Sequence, residues 1–60
     1  MRRADVWAIE QAENGGEFRE VFSTIDAKIA RAEFEMLERR GIELKLWKGD
    51  ELILHLGKRR

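Results

Sequence analysis

Sixty residues with 12 basic and 12 acidic side chains and one His carry no formal net charge, which argues against a dedicated nucleic-acid binder with its basic excess and against an acidic mimic of DNA. Cys is absent, so disulfides and thiolate metal sites are excluded. Charged residues at 40% and hydrophobic ones at 43% suit a folded, soluble chain rather than a disordered tail.

A chain of this length makes one domain, 1–60, with basic ends at 1–4 and 57–60 that are expected to fray. "MRRADVWAIEQAEN" lacks the apolar stretch of a signal peptide, and the longest apolar run is "LIL", too short to span a membrane. The expected location is the cytoplasm, with no membrane partner. Ordering each residue costs about 1.5 kcal/mol, so burial in so small a chain barely offsets folding entropy. Disulfides are excluded and metal ligands are scarce, which leaves a partner chain as the remaining stabilising aid.

In chain order, "ADVWAIEQAE" (4–13) alternates as a first strand, and Asn14-Gly15 is the preferred centre of a tight hairpin turn. "EFREVF" (17–22) is the second strand. With that turn, Trp7 faces Phe22, Gln11 faces Phe18, Ala8 faces Val21 and Glu10 faces Arg19, leaving Glu20 opposite Ile9 as the weak point. "STIDAKIARAEFEMLERRG" is the clearest helix, with Ser23 as N-cap, Asp26 three residues on, and Gly41 as the stop.

A second hairpin follows at 42–47 and 51–56, turning through "KGD". An odd-length loop or a bulge would gather Ile42 and the five even-numbered leucines, Leu44, Leu46, Leu52, Leu54 and Leu56, on one face. A strict Gly49-Asp50 turn would pair Trp47 with Leu52 and mix the faces. The apolar pattern favours the first arrangement. The expected fold is α+β: a small antiparallel sheet of two hairpins in the order β-β-α-β-β, with one helix packed on one face.

The helix carries two apolar stripes, Ala27, Ala30, Phe34 and Leu37 on one and Ile25, Ile29, Ala32 and Met36 on the other. Phe22 before the cap and Ile42 after the stop point to the Phe34 stripe as the core side. Ile25, Ile29 and Met36 are then a candidate exposed stripe. A single helix covers one sheet face, so Trp47, Ile53, Val21 and Val6 are expected on the bare face, rimmed by Lys45, His55, Arg19 and Glu43. An apolar patch with a polar rim is a common form of interaction surface.

Chemistry is sparse. One Ser, one Thr, no Tyr and a single imidazole, His55, do not build a nucleophile-base pair or a two-His metal site, and the glycines form no phosphate loop. No enzyme, metal or cofactor is expected. Two binding functions remain. The first is a protein-interaction module with a protein target and a propensity to homodimerise, using Trp47, Ile53, Val21, Lys45, His55, Ile25, Ile29 and Met36. The alternative is a single-stranded nucleic-acid binder that stacks bases on the bare face and contacts phosphates through Arg2, Arg3, Arg19, Lys45, Trp47, Lys58, Arg59 and Arg60.

In general style, a tiny charged α+β chain without Cys or Pro is similar to the accessory proteins with which phages block host systems, CRISPR inhibitors among them. That likeness implies a stoichiometric inhibitor and assigns no functional residue.

Overall fold

The computed structural model describes residues 2–12 and 16–57, and its elements run β1 (Trp7–Ala12), β2 (Arg19–Thr24), α1 (Ala27–Glu38), β3 (Glu43–Lys48) and β4 (Glu51–Leu56). The fold is α+β, in the expected order. All neighbouring strands are antiparallel and the sheet order is β2-β1-β3-β4. The helix therefore carries the chain from β2, over β1, to β3, and it packs chiefly across those three strands.

The core lies between helix and sheet. Ile9, Ala30, Phe34, Leu44 and Leu46 are buried there, with Trp7, Phe22, Leu37, Ile53 and Leu56 packed around them. The Phe34 stripe faces inward as expected, except that Ala27 is exposed. The other stripe stands in solvent, with Ile25 71%, Ile29 51% and Met36 62% accessible.

The register of the first hairpin differs from the expectation. Trp7 pairs with Thr24 rather than Phe22, and Gln11 with Arg19 rather than Phe18, with a bulge between Phe22 and Glu20. The expected Asn14-Gly15 turn lies outside the described residues. The physical reason for the shift is burial: it places Phe22 opposite Ile9, where the shorter register would have set Glu20. Pairing Phe22 with Ile9 removes more apolar surface from water than pairing Glu20 there would.

The second hairpin combines both alternatives. Gly49 (φ +60°) and Asp50 form the tight turn, Lys48 pairs with Glu51 and Trp47 with Leu52. A bulge then restores Leu46 opposite Leu54 and Leu44 opposite Leu56. The inserted residue is Ile53, which is half-buried against the core rather than on the bare face as expected. Leu52 stands on the Trp47 side in its place. One extra residue exchanges the faces of two side chains.

The helix begins later than expected. Ser23 and Thr24 belong to β2, and Asp26 is the N-cap, its carboxylate accepting from Lys28 N at 2.8 Å and Ile29 N at 3.2 Å. Thr24 Oγ1 accepts from Asp26 N at 3.1 Å and steadies the cap. Arg39 ends the helix and Gly41, at φ +73°, reverses the chain into β3. Asp26→Ala should cost about 1 kcal/mol, a fall of about 4–8 °C in Tm, while Ser23→Ala changes little. Thermal melting followed by circular dichroism separates the two: an equal loss for Ser23→Ala would contradict this cap.

Candidate interaction surfaces

The sheet face away from the helix is not bare. Trp47 projects from β3 onto it, and its indole Nε1 donates to Glu10 Oε1 at 2.8 Å. Above the ring lies Arg2, its guanidinium carbon 5.6 Å from the ring centroid. Arg2 Nη2 contacts Glu10 Oε2 at 3.0 Å and Arg2 Nε contacts Glu20 Oε1 at 3.2 Å. Its Nη1 also donates to Gly49 O at 3.4 Å.

The charge pattern explains this arrangement. Glu10 and Glu20 are cross-strand partners, and directly opposed like charges are unfavourable. A cation between them relieves that repulsion, and Arg2 occupies the place. A turn at Ala4-Asp5, closed by Val6 N donating to Arg3 O at 3.1 Å, brings the front of the chain into position. Gly49 N donating to Val6 O at 2.8 Å ties that segment to the β3–β4 turn.

Of the expected frayed ends, Arg2 is thus held by four groups, and Lys58, Arg59 and Arg60 lie outside the described residues. Arg2 was also expected to reach phosphates; its donors are already occupied by protein acceptors. Arg3 pairs with Asp5 at 3.0 Å and is exposed.

A second cluster shares this face. Lys45 Nζ lies 4.1 Å from the centroid of the Phe18 ring, and Phe18 meets His55 edge-on at 5.9 Å. His55 Nε2 is 3.1 Å from Glu43 Oε2. The shifted register brings Phe18 here rather than opposite Gln11. The same shift pairs Arg19 with Gln11, which by strand alternation places Arg19 with the helix side instead of the rim expected for it. Val21 is the unpaired residue of the β2 bulge and is exposed.

The expected patch therefore does not assemble as one surface. Trp47, Lys45 and His55 come together, already engaged with Arg2, Glu10, Phe18 and Glu43, while Ile53 has moved to the core and Val21 to the β2 edge. Apart from Val21, the exposed large apolar side chains among the described residues lie in two other places. One is the helix stripe of Ile25, Ile29 and Met36. The other is β4, the outer strand, where Leu52 and Leu54 are 43% and 40% accessible.

The β4 edge was present in the sequence as the richest apolar strand, "ELILHL". The Arg2 cover was not visible, because its acid pair depends on the register of the first hairpin. Among the described residues no group of three or more His, Asp or Glu side chains is placed to hold a metal, and no helix is long and apolar enough to cross a membrane.

Fold and surfaces together define a small α+β domain of four antiparallel strands and one half-buried helix. No protein-family model matches the chain, and no curated protein or solved structure matches it either.

Proposed function

We propose that this chain is a non-catalytic protein-interaction module, most concretely a small stoichiometric inhibitor or regulator acting in the cytoplasm, of the kind that phages carry against host systems. One observation carries the reading. The helix already buries Ala30 and Phe34 in the core, yet it keeps a second apolar stripe in water at Ile25, Ile29 and Met36. Folding does not account for that stripe. Ile29 and Met36, at i and i+7, share one helix face, and Ile25 stands just before the Asp26 cap. Such a row suits insertion into an apolar groove on a target. Lys28, Arg31, Glu35 and Arg39, all exposed, supply charges around it.

The nucleic-acid alternative gains nothing from the geometry. Base stacking on Trp47 requires displacing Arg2, and Glu10, Glu20 and Glu43 share the face with its cations.

The test is capture from a lysate of cells that express the protein, comparing wild type with Ile29→Asp/Met36→Glu. Both side chains are exposed, so the double variant should keep its far-ultraviolet spectrum and its Tm within a few degrees. The wild type is expected to retain a protein in equimolar amount, and the variant to retain at least about tenfold less, as loss of central apolar anchors implies. Indistinguishable captures by the two proteins would overturn the reading.

A further inference from the structure

We infer that the free edge of β4 is a homodimer interface, at which two copies of the chain join their sheets antiparallel about a twofold axis between Ile53 and Leu54. The inference concerns a different surface from the helix stripe and stands independently of the proposed target binding.

Main-chain polarity provides the first argument. Gly49 N donates to Val6 O, which shows that the odd-numbered residues at this end of β3 turn their main-chain groups toward β1. Antiparallel ladders alternate, so Lys48, Leu46 and Leu44 turn theirs toward β4, where their partners are Glu51, Leu54 and Leu56. The amides and carbonyls of Leu52 and His55 therefore point to the free edge. The bulge at Ile53 makes these two residues successive outward-facing positions.

An antiparallel twofold that sets Leu52 opposite the partner's His55 also sets His55 opposite the partner's Leu52. That pairing forms four N–H···O bonds. It keeps like faces together, with Ile53 beside the partner's Leu54 on the helix side of the joined sheet.

Charge provides the second argument. Asp50 of the turn and Glu51 open the segment that contains β4, and in sequence Lys58, Arg59 and Arg60 come after Gly57. A sequence with acids before a strand and bases after it is self-complementary when two copies run antiparallel and self-repelling when they run parallel. With zero net charge on each copy, approach meets no overall repulsion.

The third argument is the contrast between the two edges. β2 presents Arg19 and Glu20 beside its bulge, charges and a bulge of the kind that guard an edge against pairing, although the bulged Val21 is also exposed. β4 carries no Lys, Arg or Pro, has its one acidic residue, Glu51, at its start, and exposes Leu52 and Leu54. The contact is short, and association is expected at micromolar concentration, with a dissociation constant of about 1–100 μM.

Sedimentation equilibrium across that concentration range tests the inference with three variants. Leu52→Pro removes an amide that points to the free edge, a substitution an edge strand tolerates. Leu54→Lys brings two like charges together beside the axis. Met36→Glu alters only the helix stripe.

Wild type and Met36→Glu should approach twice the monomer mass, while Leu52→Pro and Leu54→Lys should each weaken association at least about tenfold. Leu54→Lys keeps the test decisive if Leu52→Pro fails to fold. A wild type that stays monomeric at the highest concentration overturns the inference. So does a dimer that survives both β4 variants or is lost only with Met36→Glu.

Discussion

Phe34→Ala should abolish the cooperative thermal transition or lower Tm by at least about 12 °C. Phe34 is the one large side chain that the helix buries fully, Ala30 being the other fully buried residue. Truncating a buried Phe costs about 3–5 kcal/mol, because the apolar contacts are lost and the cavity closes only in part. A domain of this length has about 3–9 kcal/mol in total, so the loss consumes most of its stability. Met36→Ala, on the same helix but in solvent, should stay within about 0.5 kcal/mol of wild type. Urea titrations of the two variants measure the contrast. A Phe34→Ala protein less than about 1 kcal/mol weaker than wild type would mean that the helix does not seal the sheet as described.

Gly49→Ala should act through two separate effects. The residue sits at φ +60°, where a Cβ is unfavourable by about 1–2 kcal/mol. The added carbon would also stand 3.0 Å from Ala4 Cα and 3.3 Å from Arg3 O. Both of those are main-chain atoms, so relief requires the segment around Ala4 to lift. Lifting it loosens Arg2 from Glu10, Glu20 and Trp47. The expected result is a loss of about 2 kcal/mol or more in urea unfolding, together with freer quenching of Trp47 fluorescence by acrylamide in a Trp7→Phe background. Unchanged quenching with a full stability loss would confine the effect to the turn and separate it from the Arg2 contacts.

Much of the architecture is legible in the sequence. The order β-β-α-β-β, the choice of the Phe34 stripe for the core and the role of Gly41 all rest on short-range signals of period and capping. What escaped depends on competition between local and distant forces. "STID" offers three capping residues in succession, and tertiary pairing drew Ser23 and Thr24 into β2, leaving Asp26 to cap. The register of the first hairpin follows the burial of Phe22 opposite Ile9, a pairing that the turn letters Asn14-Gly15 do not indicate.

Gly49-Asp50 did offer the pairing of Trp47 with Leu52. A bulge is nearly silent in an apolar run, so the letters do not show that both the tight turn and the bulge would form and exchange the faces of Ile53 and Leu52. The candidate site suffered most from this. Trp47, Lys45 and His55 were placed on the correct side of the sheet, but the cover over Trp47 joins residue 2 to residues 10, 20, 47 and 49. Contacts so far apart in the chain leave no periodic trace. The exposed helix stripe, by contrast, followed directly from spacing within one element.

The contacts of Arg2 give the two sides of this sheet different physical characters. On the helix side the cover is apolar, and its strength rises and falls with temperature and denaturant as hydrophobic burial does. On the far side the cover over Trp47 is a guanidinium held by two carboxylates at partly exposed positions, and such contacts weaken as dissolved ions screen them. With one helix among the described residues, on the other face, the sheet is covered over Trp47 by charge. Ionic strength addresses one layer and heat the other, so the tryptophan side can be unroofed while the leucine side stays folded.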